Sequence, residues 1–212
     1  MFKKPVYIDK ATASFERTDD GYVLKEPDYK FLIPNATLRR RMSRMVRMGV
    51  ATGVPCVEDA TAPVDAILTA TGLGCLADTE KFMNTILDHN EELLTPTAFI
   101  QSTFNTIGAQ IALLTGNHSY NTTYVHRAFS LESALLDAAL LVQEEEAQSV
   151  LVGAVDEMNR RCKRSSAVWV SGRRTSREKG RHFSFCRGTA HRNAWRSSGI
   201  WNCSAAVLRK KR

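Results

Sequence analysis

Apolar and polar positions along the chain change period several times, and each change marks an element. The first thirty or so residues mix Val6-Tyr7-Ile8 with Gly21 and Pro27, which predicts short strands and loops. Leu38, Met42, Met45, Val46 and Gly49 then recur at helical spacing, with Arg39, Arg40, Arg41, Arg44 and Arg47 mostly opposite, so an amphipathic helix with Thr37 as its cap is expected. Asp65-Ala66-Ile67-Leu68-Thr69-Ala70, bounded by Pro63 and Gly72, reads as a buried strand. A glycine turn follows, and then a helix from about Ala77 with Phe82, Met83, Ile86 and Leu87 on one face.

After a loop at Thr95-Pro96, Ile107, Ile111, Ala112 and Leu114 mark a helix that Gly116 stops. Asn121 to His126 is rich in β-formers. Ser130 then opens a long helix expected to bury Leu131, Leu135, Ala138, Ala139 and Val142, and Ser149 to Val155 is a second buried strand. Strands alternating with helices imply right-handed crossovers, so the fold class is α/β, a mostly parallel sheet covered by helices on both faces. No short period repeats, which argues against a solenoid.

The charge is distributed unevenly. Residues 1–159 hold 13 Lys plus Arg against 21 Asp plus Glu, and residues 160–212 hold 16 against the single acid Glu178, which together give the net +7. The acidic segment 1–159 is therefore expected to be the folded domain. Cys162, Cys186, Cys203, Trp169, Trp195 and Trp201 also lie in the basic segment 160–212. The five cysteines have no metal-ligand spacing, and an odd number without a secretion signal argues for free thiols. No apolar run reaches the eighteen or so residues of a membrane span, so a cytoplasmic chain with no membrane partner is expected.

Gly72-x-Gly74-x-x-Ala77, between a strand and a helix, fits the fingerprint in which glycines let a backbone approach a pyrophosphate. Glu91 and Glu92, the acids about twenty residues on, follow a helix rather than ending a second strand. A tight packing turn is the simpler reading, and a small nucleotide-binding domain is the alternative.

Asp65 to Gly74, Glu80-Lys81-Phe82, Phe104-Asn105-Thr106-Ile107-Gly108-Ala109-Gln110-Ile111-Ala112, Asn121-Thr122-Thr123 and Ser149 to Asp156 together resemble, in order and spacing, the amino-terminal half of a β-ketoacyl synthase. The resemblance covers roughly 35–158. It implies a thiolase-like fold, of which this chain would be an incomplete half, acyltransferase chemistry, acyl carrier protein as partner and a homo- or heterodimer with a ketosynthase-type subunit; it implies no cofactor, metal or nucleic acid. The family's condensing chemistry needs a cysteine where a helix amino terminus favours the thiolate. The corresponding stretch here, His126-Arg127-Ala128-Phe129-Ser130, has none, and the nucleophile slot falls near Ala128. Ser130 with His126 as base is the substitute to weigh, since a serine needs a neighbouring base, against Ser130 as a helix cap. Cys75 is read as a small buried hydrophobe. The family's two assisting histidines come from a carboxyl-terminal half that is not encoded here. The chain is thus expected to be inactive alone and to resemble a chain-length-factor subunit.

Beyond Glu157 the resemblance implies motifs like "R-L-G-x-W" and "G-E-G-A" before a phenylalanine-rich strand, and the printed residues spell neither. Codons started at the third base of each printed codon can read "I-L-R-R-L-G-L-W" across Arg164 to Gly172 and "G-E-G-A-x-F-F-F-L" across Arg177 to Cys186. A coding shift close to Met158 accounts for both, and it predicts that 160–212 is a disordered basic tail that was never selected to pack.

Overall fold

The computed structural model describes residues 5–18, 21–24, 26–157 and 200–210. Its centre is a five-stranded sheet made of β1 (Val6–Ala13), β4 (Ala66–Ala70), β5 (Tyr120–Tyr124), β6 (Ser149–Glu157) and β7 (Ile200–Lys210), in the order β1-β7-β6-β4-β5. β4 pairs in parallel with both β5 and β6, whereas β7 runs antiparallel between β6 and β1. The sheet is therefore mixed rather than mostly parallel. β2 (Phe15–Thr18) and β3 (Gly21–Leu24) form a separate hairpin.

Side chains alternate across the sheet, as a period of two requires. Ile67, Leu151, Val155, Ala205 and Val207 face one side, where α3 (Arg44–Glu58) brings Met45, Met48 and Val50 and α6 (Thr106–Thr115) brings Ile107 and Ile111. Ala66, Leu68, Ala70, Val150, Val152, Ala154 and Leu208 face the other, covered by Ala134, Ala138 and Val142 of α7 (Ser130–Gln143). α3 and α6 cross closely because α3 has glycines at the crossing. A Cβ on Gly49 would come within 2.6 Å of Ile107, and one on Gly53 within 2.4 Å of Ile111.

The structure corrects several expectations. The segment 160–212 was placed outside the fold, yet residues 200–210 supply a central strand whose Val207 is 0% exposed. Arg209 of that strand donates to Asp9 at 3.0 Å, and Asp9 also accepts from the Thr61 amide. The Thr61 hydrogen bond and Arg209 hold the Asp9 carboxyl below its usual range. The codons re-read for the missing motifs fall outside the described residues.

After a single turn, α1 (Tyr29–Leu32), the arginine-rich helix is two helices, α2 (Ala36–Arg41) and α3, because Met42 is extended. Asn35, not Thr37, caps the first by accepting from the Leu38 amide, and Ser43 caps the second. A further helix, α5 (Pro96–Ser102), starts at the proline that was read as a loop, since proline suits a first helical turn. α4 (Leu76–Asp88) exists as expected, but its apolar face is left largely open, with Leu87 73% exposed.

Candidate functional site

The carboxyl ends of β4, β5 and β6 converge on three loops, the place where open α/β sheets bind ligands. β4 runs into Thr71-Gly72-Leu73-Gly74. Its backbone is held from both sides: the Asp156 carboxylate at the end of β6 accepts from Thr71 Oγ1 at 2.9 Å and from the Gly72 amide at 2.6 Å. Thr71 Oγ1 in turn accepts from the Gly74 amide at 2.9 Å. Gly74 has φ +72°, and the Phe104 ring fills the space a Cβ would need. Glu157 accepts from the Ala77 amide at 2.7 Å, in the first turn of α4.

This arrangement overturns the nucleotide-binding alternative. The Gly72 and Ala77 amides that a pyrophosphate would use already serve two carboxylates, whose charge would repel it. Burial pushes Asp156, Glu157 and Asp78 up from their ordinary values, partly offset by the amides that Asp156 and Glu157 accept from. Beside them Cys75 is 1% exposed, and burial, then Asp78 and Glu157, push its thiol up to about 12. It is a packing residue, as read from the sequence.

Three of the five stretches that carried the resemblance touch across β4, β5 and α6. Thr69 and Thr123 hydroxyls are 2.6 Å apart, Thr123 donates to Asn105 Oδ1 at 2.9 Å, and Asn121 Nδ2 donates to the Gly108 carbonyl at 3.0 Å. Asn105 precedes α6, so these bonds fix that helix start against the strands. The pocket between them, lined by Met45, Thr69, Thr71, Phe104 and Thr123, admits no more than a water-sized guest.

Between β5 and α7 the chain makes a single 3-10 turn, Arg127–Phe129. Arg127 takes φ +54°, a strained value for a residue with a side chain. Ala128, the position nearest the expected nucleophile slot, follows it and is exposed. Ser130 is 3% exposed and fully engaged. Its Oγ accepts from the His126 amide at 2.8 Å and lies 2.7 Å from the Thr71 carbonyl, to which it donates. It ties this turn to the glycine turn and does not cap α7, whose N-cap is Phe129.

The His126 ring does not face Ser130. Its Nδ1 lies 3.0 Å from Ser133 Oγ, one turn further along α7, and its ring meets Tyr124 edge-on at 5.7 Å. The structure thus separates the base from the serine that sequence spacing paired with it. Ser133 was missed; its signal is that it follows Phe129 by four residues and so faces back toward the turn. Among the described residues no group of three or more His, Cys, Asp or Glu could hold a metal ion.

A mixed sheet with helices on both faces and a strained strand-to-helix turn at its carboxyl edge make a ketosynthase-like α/β fold. The family model "Beta-ketoacyl synthase, N-terminal domain" matches residues 17–161, and the chain belongs to that family. Its fold is similar to a chain in the structure of a ketosynthase (ApeO) in complex with its chain length factor (ApeC) from Xenorhabdus doucetiae. That match has 15% identity and a TM-score of 0.61, and covers 99% of this chain and 80% of that one. The ishigamide ketosynthase/chain length factor matches with 11% identity and a TM-score of 0.64, over 97% of this chain and 62% of that one. A third match, AntDE:AntF, is a type II PKS acyl-carrier protein in complex with its ketosynthase bound to the hexaketide. It has 14% identity and a TM-score of 0.63, over 98% and 63%. The chain thus spans about three-fifths of the second and third of these chains. No curated protein sequence matches it. Among the described residues no helix is long and apolar enough to cross a membrane.

Proposed function

We propose that this chain is a non-condensing, chain-length-factor-like subunit that works beside a cysteine-bearing ketosynthase in fatty-acid or polyketide synthesis in the cytoplasm. The observation that carries the reading is the turn 126–130. It keeps the strained strand-to-helix geometry but holds no thiol, and its one buried hydroxyl is spent on backbone groups. Cys56 and Cys75 are both buried elsewhere. The fold is shared with chains of solved ketosynthase and chain length factor pairs, in which a subunit of this kind has a place.

Within such a pair the chain shapes the site rather than reacting in it. Its own pocket at the strand ends is water-sized, so the growing acyl chain would lie mainly in the partner. An acyl carrier protein is acidic, and the exposed Arg40 and Arg41 of α2 suit it. The neighbouring arginines are already engaged: Arg39 on the Ile33 carbonyl, Arg44 on Glu26, and Arg47 over the Tyr29 ring. Co-expression with a cysteine-bearing ketosynthase from the same organism tests the reading. The pair should make longer or differently distributed products than the ketosynthase alone, and condensing activity in the isolated chain would refute it. The coding shift close to Met158 stays a proposal, and resequencing the locus decides it: a shifted frame that reads through the "G-E-G-A" motif is the expected result.

A further inference from the structure

The left-handed backbone of Arg127 is held in place from two sides. Ser130 Oγ lies 2.9 Å from the Arg127 carbonyl and accepts from the His126 amide at 2.8 Å. The same carbonyl abuts the glycine turn, where a Cβ on Gly72 would lie 3.3 Å from it. The two turns together clamp a conformation that a residue with a side chain would otherwise leave, and strain of that kind persists where a side chain has to be presented.

The side chain presented here is a guanidinium. Arg127 is exposed, and it makes no ion pair or side-chain hydrogen bond among the described residues. Arg39, Arg44, Arg47 and Arg209 are each engaged. The neighbouring positions of the two turns are apolar and open: Phe129 is 64% exposed, Leu73 beside Gly72 is 42% exposed, and Phe104 against Gly74 is 51% exposed. A free guanidinium among exposed apolar side chains suits an amphiphile with an acid head, because the planar fork takes a carboxylate through two hydrogen bonds while the rings cover a chain. A doubly charged head is disfavoured, since the Asp156 carboxylate sits across Gly72 from the same carbonyl. The pocket at the strand ends is water-sized, so the chain of such a ligand lies along the surface rather than inside.

We propose that the strained turn at Arg127 binds a free monocarboxylic acid with an apolar chain, the carboxylate on the Arg127 guanidinium and the chain against Phe129 and Leu73. No bond is made or broken. The inference goes beyond the non-condensing reading, because the ligand is a released acid rather than a thioester and no partner subunit is needed.

Calorimetry on the full chain tests it, with octanoate, octanol, acetate and octyl phosphate as probes and with the variants Arg127→Ala, Arg127→Gly and Phe129→Ser. Octanoate should bind one-to-one. Octanol, which lacks the charge, and acetate, which lacks the chain, should each bind about tenfold more weakly or worse. Arg127→Ala and Arg127→Gly should weaken octanoate by about tenfold, and Phe129→Ser by less. Glycine adopts the left-handed region freely, so Arg127→Gly should melt at or above the wild-type temperature while it loses the ligand. That opposite movement separates a lost site from a lost fold. Wild-type protein that ignores octanoate, octanol that binds as tightly as octanoate, or Arg127→Gly that keeps wild-type affinity would each overturn the site. Octyl phosphate binding more tightly than octanoate would overturn the choice of a carboxylate, and an Arg127→Gly chain that melts well below wild type would overturn the strain argument. None of these results bears on the non-condensing reading, which the products of the co-expressed pair decide.

Discussion

Val207 gives the sharpest test of which residues build the fold. It is 0% exposed between β1 and β6, packed with Leu151, Ala205 and Met48 on the α3 side of the sheet. Val207→Asp removes about 1.5 to 3 kcal/mol of buried apolar side chain. It also puts a carboxyl where it cannot stay ionised, and neutralising an ordinary aspartate at pH 7 costs about 4 kcal/mol. The sum, about 6 kcal/mol, matches the whole stability of a marginal domain, about 5 to 15 kcal/mol. Val207→Ala leaves only a cavity and should cost about 2 kcal/mol. The assay is urea unfolding followed by circular dichroism. Val207→Ala should shift the midpoint down by about 1 M, and Val207→Asp should leave no cooperative transition. If Val207→Asp unfolds within about 0.5 kcal/mol of the wild type, residues 200–210 do not form the central strand.

Three further outcomes follow. Gly53→Ala sets a Cβ against Ile111 and should destabilise by about 1 to 3 kcal/mol, and adding Ile111→Val, which removes the methyl at 2.4 Å, should restore part of the loss in thermal melts. Asp156 and Glu157 have carboxyls raised above their unfolded values, so the folded state binds more protons between the unfolded and folded pKa. Their contribution is then full below the unfolded value and is lost as pH rises through the folded one. Asp156→Asn should flatten that part of the pH dependence, and Asp156→Ala should cost about 1 to 3 kcal/mol by leaving the Gly72 amide unpaired. Cys75, with its thiol pushed up to about 12, should resist iodoacetamide at pH 8 until the chain unfolds, as read by peptide mass spectrometry.

The parts that could be read from the sequence are those where local pattern and tertiary packing agree. Ala66–Ala70 and Ser149–Glu157 are buried on both faces, so each is a continuous apolar run, and Gly116 closes α6 with φ +63° as a carboxyl-terminal cap should. β7 carries the same kind of signal, Ala205-Ala206-Val207-Leu208, but it sits among lysines and arginines, and composition outweighed four residues of pattern. The break between α2 and α3 was hidden because Met42 keeps the helical period of apolar residues while its backbone is extended.

The site divides along the same line. The missing thiol at 126–130 is a matter of residue identity and is visible at once, whereas the partners of Ser130 and His126 depend on where a 3-10 turn aims them. Ser130 has a serine's reputation as a helix cap and a nucleophile's distance from a histidine. It is a staple between two turns. The carboxylate grip on the glycine turn joins residues more than eighty positions apart, and no local motif announces it.

Intact-protein mass spectrometry of the chain with its ketosynthase, after incubation with acyl-loaded carrier protein, tests the central claim most directly. The acyl mass should appear on the ketosynthase alone, with this chain unmodified. An acyl group mapped to any residue from His126 to Ser130 would show that the turn is a working nucleophile site and that the chain takes part in the chemistry.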